Sequence, residues 1–168
     1  FMDAASDNGY EQFDYNFQSI GNGQILPTSA PGLNAPWVDG NATRWFRYDR
    51  IRKYNNFLEK IEAVEMDADK KERYKAEVRF LRAYDYYSKI MYYGDVPLVD
   101  KVITSAEEAN LSRTPKAEVE DFVLKELEEV AALLPVQNTI ESGGHITKGA
   151  AIALKARLEL YLGKYEQA

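Results

Sequence analysis

The chain has 168 residues, with 21 Lys and Arg against 27 Asp and Glu, and a formal net charge of −6. That acidic balance argues against a general nucleic-acid binder, which shows a basic excess or a basic stripe. At 45% hydrophobic and 29% charged the composition is ordinary globular material, no apolar run approaches the ~20 residues of a spanning helix, and the absence of Cys removes disulfides, thiol catalysis and zinc–thiolate sites together. His145 is the single histidine, which argues against His-rich metal sites and against a Ser-His-Asp triad within one copy of the chain.

Residues 1–40 differ in character from the rest. They hold Gly9, Gly21, Gly23, Gly32, Pro27, Pro31 and Pro36 and no Lys or Arg, and no apolar period of 3.6 or 2 persists, so the reading is an irregular segment. Phe1, Tyr10, Phe13, Tyr15, Phe17 and Trp37 are spread through it. Aromatics at that density on a loop either lie against something or present themselves to a partner.

Residues 41–168 read as a helical domain. The first helix is expected over about Ala42 to Val64, with Tyr48, Ile51, Tyr54, Leu58 and Ile61 on one face and Glu59, Glu62 and Glu65 opposite. Asp69 and Glu72 have capping-box spacing and open a second helix to about Tyr92. Tyr74, Val78, Leu81, Tyr84 and Met91 line its expected apolar face, widened by Phe80, Tyr87 and Ile90. Gly94 stops it, and Asp95 to Val99 is extended because Pro97 disfavours helix in the residue before it.

Thr114 is the expected cap of a third helix, with Pro115 at its first position and Val119, Val123, Leu127, Val130 and Leu134 on its apolar face. Pro135 ends it. A polar loop from Gln137 to His145 leads to Thr147, the cap of a fourth helix ending at Gly163, whose Ala150, Ala151, Ala153 and Ala156 allow a neighbouring helix to approach closely. The endings Tyr92-Tyr93-Gly94-Asp95 and Tyr161-Leu162-Gly163-Lys164 superimpose at a spacing of 69 residues, close to twice the ~34 of a tetratricopeptide repeat. No run of alternating strand residues occurs. The expected fold class is therefore all-α, built of tetratricopeptide-like helical hairpins in an α–α superhelix, behind a long irregular N-terminal segment.

Chemistry is sparse in this pattern. The carboxylates fall at helix positions with Lys and Arg nearby, the reading of a solvated face, and no nucleophile–base constellation suggests an enzyme. Gly143-Gly144 beside His145 lacks the spacing of a phosphate-binding loop and reads as a flexible loop before a helix. His145 reads as a surface or capping residue. On the helices, Tyr48, Tyr54, Tyr84 and Tyr87 are expected in the core with hydroxyls paired. In the loops, Trp37, Asp39 and Asn41 form a group in which an indole face can stack on the apolar C–H face of a sugar ring while polar neighbours bond its hydroxyls. The competing reading has Trp37 anchoring the loop and Asn41 capping the first helix. No residue pattern calls for a metal or a cofactor.

Several motifs carry a resemblance. Ala76-Glu77-Val78-Arg79-Phe80-Leu81-Arg82-Ala83-Tyr84, continuing to Tyr93-Gly94-Asp95-Val96-Pro97-Leu98-Val99, resembles the signature of the SusD/RagB family of nutrient-binding outer-membrane lipoproteins. Asp121 to Pro135 and Thr147 to Ala168 resemble the family's following helices, Arg50 to Asn56 its first helix, and Ser6-Asp7-Asn8 its opening segment. Gly144-His145-Ile146 departs from the Gly-Arg-Ala common in members, a change expected to affect local bonding more than fold.

The resemblance implies a non-catalytic, surface-exposed lipoprotein of the outer membrane, anchored through an N-terminal lipid absent from this chain. It would serve polysaccharide utilisation by delivering glycans, or in RagB-like members peptides, to a SusC-like TonB-dependent transporter. An alternative is an interaction module that docks the transporter while the ligand site lies elsewhere in the chain. Phe1 follows no initiator Met, and Gly163 to Ala168 read as a turn opening a further helix, so the expectation is an N-terminal piece of a longer protein.

Overall fold

A computed structural model describes residues 47–139 and 143–168. The irregular segment 1–40, the candidate site residues Trp37, Asp39 and Asn41, and the expected start of the first helix at Ala42 lie outside the described residues.

Helix α1 spans Asp49–Lys60 and runs into a single 3₁₀ turn, Ile61–Ala63. Its acidic first residue and basic last residue match the helix dipole. Ile51 and Ile61 are buried, Tyr48, Tyr54 and Leu58 half-buried, so the expected face is the inner one. Tyr48 occupies the N-cap position, with no side-chain cap. The inner face also holds Asn55, buried one turn after Ile51.

Helix α2 spans Ala68–Tyr93. The cap is Asp67, whose Oδ1 accepts the Lys70 N–H at 2.9 Å, two residues before the expected Asp69. Asp69 sits instead in the first turn, where its charge still favours the helix N-terminus. Gly94 ends the helix at φ +66° with its N–H on the Ile90 carbonyl. A Cβ there would meet nothing within 4 Å, so what a side chain at Gly94 would meet is the backbone conformation alone, φ +66° and ψ −117°, which glycine adopts without strain.

The buried face of α2 is not the one apolar periodicity selects. Leu81 and Tyr84 are exposed and Tyr74 and Val78 half-buried, whereas Ala76, Arg82, Ala83, Asp85, Tyr86, Ser88, Lys89 and Ile90 are buried. α2 is the middle layer, covered by α1 on one side and by the third helix on the other, and half of what it buries is polar.

Helix α3 spans Lys116–Leu133, and Val119, Val123, Leu127, Val130 and Leu134 are all buried as their spacing predicts. Its N-terminus is built differently from expectation. Pro115 takes the N-cap position, and the Lys116 N–H is bonded by Asp95 Oδ1 at 2.8 Å, across 21 residues of sequence. Thr114 is drawn into an isolated antiparallel bridge with Val96; its N–H bonds the Val96 carbonyl at 3.0 Å and its hydroxyl oxygen accepts the Leu98 N–H at 3.2 Å. Helix α4 spans Lys148–Tyr161 after Thr147, turned out by Gly163 at φ +72°. Of its four alanines only Ala151 is fully buried, in the cluster with Ala76, Val130 and Leu134 where α2, α3 and α4 meet.

Side-chain pairs fix the helix directions. Arg50–Asp85, Asn55–Arg82 and Glu62–Lys75 run α1 antiparallel to α2. Arg79–Glu126 and Ala76–Val130 do the same for α2 and α3, and Lys155–Glu128 with Ala151–Leu134 for α3 and α4. The described residues thus form successive helical hairpins, with the Val96–Thr114 bridge as their sheet-like pairing.

Arg82 and Glu126, each 7% exposed, join α2 to α3. Arg82→Ala leaves Glu126 buried beside Arg79 alone and leaves the Asn55 and Asp100 oxygens short of a donor. Urea unfolding is expected to show a loss of about 3–5 kcal/mol, the range for breaking a buried pair; a loss below about 1 kcal/mol, the worth of a surface pair, would show that the pair is exposed in solution.

Candidate functional site

The residues 95–101 that follow Gly94 form an extended segment crossing the helices. Its carbonyls have no sheet to pair with, and buried carbonyls must find donors. Side chains supply them. Tyr48 donates its hydroxyl to the Pro97 carbonyl at 2.7 Å, and Asn55 Nδ2 donates to Val99 at 3.0 Å and Lys101 at 2.8 Å. Arg82 Nη1 donates to the Asp100 carbonyl at 3.0 Å. The Tyr86 hydroxyl accepts the Val99 N–H at 2.7 Å and donates to its carbonyl at 3.1 Å. Burial pushes the Tyr48 and Tyr86 hydroxyls well above the ordinary phenol range, which keeps both as donors.

The same side chains join the helices. Arg82 Nη1 also reaches Asn55 Oδ1 at 2.8 Å, and its Nη2 bonds Glu126 Oε2 at 2.9 Å. Arg79 takes the other oxygen of Glu126 at 2.7 Å and extends to Glu129. The Arg82 guanidinium lies 5.4 Å from the Phe122 ring centroid, and Phe122 meets Tyr86 edge-on at 5.7 Å. Glu126 is therefore occupied on both oxygens and has no free position for acid–base work. The solvated-face reading of the carboxylates is corrected for Asp85, Glu126 and Glu159, which are buried; periodicity cannot tell a carboxylate that faces water from one that faces a buried arginine.

His145 closes the loop between α3 and α4 onto α2. Its Nδ1 lies 2.9 and 3.0 Å from the two Glu77 oxygens, and Arg73 Nε bonds Glu77 at 3.0 Å. Asn138 Nδ2 holds the His145 carbonyl at 2.7 Å and its Oδ1 accepts from Arg73. The His145–Glu77 bond ties this loop to α2 across 68 residues of sequence. Among the described residues no group of three His, Asp or Glu could hold a metal ion.

Two aromatic surfaces of the described residues stand open. An open, apolar cleft of about 380 Å³ is lined by Phe57, Ile61, Val64, Met66 and Tyr74. Further along α2, Tyr84 is 44% exposed, its ring centroid 6.4 Å from that of Tyr87 at a tilt of 31°. Tyr87 is bonded by Arg157 of α4, and burial raises its hydroxyl above the ordinary phenol range. The expectation of Tyr84 in the core is corrected; the fully buried tyrosine is Tyr86, three residues from Ala83 on the inward face.

The family described as starch-binding associating with outer membrane matches residues 3–162, and the chain belongs to this SusD-like family. SusD-like protein P38 of Formosa agariphila is 32% identical over 147 residues, which cover 84% of this chain and 28% of that protein. The chain thus spans under a third of this relative's length. Among solved structures, a SusD-like carbohydrate-binding protein of Bacteroides fragilis is 28% identical with a TM-score of 0.78, over 99% of this chain and 31% of its own. A laminarin-binding SusD-like protein is 27% identical with a TM-score of 0.74, over 90% of this chain and 31% of its own.

Asp85, 3% exposed, has Arg50 Nε at 3.9 Å, and its Oδ2 accepts no hydrogen bond. Burial raises its carboxyl above the ordinary carboxylate range, opposed by Lys89 and Arg50 and assisted by Asp49. The folded protein then holds this proton more tightly than the unfolded chain, so the contribution of Asp85 to stability falls as pH rises through that window. Urea unfolding of the native protein and Asp85→Asn is expected to diverge in favour of Asn between about pH 4, the ordinary carboxylate value, and neutrality. A pH-independent difference would show that Asp85 ionises as easily folded as unfolded.

Proposed function

We propose that this chain takes part in non-catalytic binding of oligosaccharides at the bacterial cell surface, for delivery to a SusC-like TonB-dependent transporter of the outer membrane. The observation that supports this most is the match over nearly the whole chain to a family described by starch binding and outer-membrane association. The similar laminarin-binding and carbohydrate-binding structures point the same way. The chain's own chemistry agrees: aromatic rings beside polar groups are plentiful, and the buried charges are consumed in holding the fold.

Trp37, Asp39 and Asn41 are the proposed contacts, the indole for a sugar face and the polar pair for its hydroxyls. The competing possibility, that this part of the chain docks the transporter while ligand binds elsewhere in the protein, draws support from the helices. Arg82, Asp85, Lys89 and Glu126 are turned inward, and Tyr84 and Tyr92 stand open on α2.

Calorimetric titration with laminarin and starch oligosaccharides tests both. Trp37→Ala is expected to weaken binding about thirtyfold, the ~2 kcal/mol of a hot-spot aromatic, with an unchanged helical spectrum. Tyr74→Ala and Tyr84→Ala are expected to bind as the native chain does. Loss confined to one of these two would move the site to the cleft or to the α2 surface. Binding of peptides in place of sugars would identify a RagB-like member, and binding of neither, with transporter capture intact, would favour the docking role.

A further inference from the structure

Where α1 turns into α2 the chain leaves the open cleft of about 380 Å³, a size within the roughly 300–1,000 Å³ of small-molecule sites. Its walls are apolar on all sides but one. Ile61 is buried at its base, Phe57 and Val64 are 39% and 49% exposed, and Met66 and Tyr74 line the rest. None of these five side chains carries a charge at neutral pH.

The remaining lining residues, Asn56 and Lys60, are polar. At i and i+4 on α1 they share one flank of the helix, next to the flank that carries Phe57 and Ile61. Among the described residues the Asn56 amide and the Lys60 ammonium make no hydrogen bond or ion pair. Glu62, two residues on, is held by Lys75 at 2.7 Å and so does not neutralise Lys60. On α2, Lys70 lies 5.7 Å from the Tyr74 ring centroid, a second cation beside the cleft. The site thus has an apolar length and one cationic edge with hydrogen-bonding capacity to spare.

We propose that this cleft binds a free fatty acid, with the alkyl chain along Phe57, Ile61, Val64, Met66 and Tyr74 and the carboxylate on Asn56 and Lys60. Burial of apolar surface supplies the attraction along the chain, and the unbranched, polarizable Met66 lets the wall follow it. The head is an anion because Lys60 offers donors only, and Asn56 adds N–H groups beside it. A sugar fits poorly, since it carries hydroxyls around its whole rim and only one edge of this cleft can answer them; the others would lose their hydrogen bonds to water without replacement. The site is therefore separate from the proposed oligosaccharide contacts.

Calorimetric titration of the intact protein with laurate, kept below its micellar concentration, is the test. Saturable binding is expected, with dodecyltrimethylammonium, a cationic head on a tail of matching length, at least tenfold weaker. Lys60→Gln is expected to weaken laurate about fivefold, the upper end for an exposed ion pair. Val64→Asp, a charge set in the apolar length at an exposed position, is expected to abolish binding with an unchanged helical spectrum. Trp37→Ala is expected to leave laurate binding as it is, so failure here and failure of the oligosaccharide reading are seen separately. Equal binding of the two amphiphiles would overturn the proposal, as would no saturable binding of laurate or binding that survives both Lys60→Gln and Val64→Asp. Displacement of laurate by laminarin would give the cleft to a sugar. Binding to phosphatidylglycerol vesicles without binding of monomeric laurate would give it to a membrane surface, and either result would overturn the proposal.

Discussion

The buried guanidinium of Arg82 is the constraint on which the described structure depends. It sits on α2 between two other helices and an extended segment, and spends its donors on all of them: Asn55 of α1, Glu126 of α3 and the Asp100 carbonyl. Such an ion is costly to desolvate, and it persists only where the partner charge and the remaining hydrogen bonds are both supplied. Each partner is therefore fixed in turn. Asn55 can answer Arg82 with its oxygen because its nitrogen is spent on Val99 and Lys101, and Glu126 can answer because Arg79 takes its other oxygen. An all-apolar seam of equal volume would allow helices to slide by a turn. This network has one register.

That network also explains what the family signature is for. Arg79, Arg82 and the run from Gly94 to Val99 look, as a motif, like a functional site. In the structure they join helix to helix and carry an extended segment over the bundle without a sheet. Asp95 caps α3 from the same segment, so the turn at Gly94 sets both where the extended segment begins and where the next helix starts. A motif that holds a scaffold says which fold is present and leaves recognition to residues elsewhere.

Legibility followed the physics of each element. The apolar face of α3 was legible: Val119, Val123, Leu127, Val130 and Leu134 are buried as their spacing predicts, with Glu126 the buried residue that spacing misses. α2 was legible in extent and wrong in face, because Arg82, Asp85, Ser88 and Lys89 are buried while Leu81 and Tyr84 stand out. A periodic pattern scores residues singly, and a buried Arg is acceptable only as half of a pair whose other half lies 44 positions away. Caps failed for the same reason. Asp95 on the α3 N-terminus comes from 21 residues upstream, beyond any local rule, and it frees Thr114 for the bridge with Val96. The candidate contacts Trp37, Asp39 and Asn41 rest on residue type in an irregular segment, where no period constrains which side chains converge.

A division of labour follows from where charge and aromatic surface lie. Within the helices the ionic groups that are buried answer one another, and Tyr48 and Tyr86 spend their hydroxyls on backbone. A sugar-binding surface needs the opposite: ring faces left open and polar groups with spare hydrogen-bonding capacity. The helical core spends most of its buried donors and acceptors on its own geometry, with Asp85 Oδ2 and Arg82 Nε the exceptions. On the proposed function, recognition of an oligosaccharide would fall to residues outside this network, whose identity can change without disturbing Arg82 and its partners. The register that spends these buried groups on the fold also fixes where each helix lies against the next.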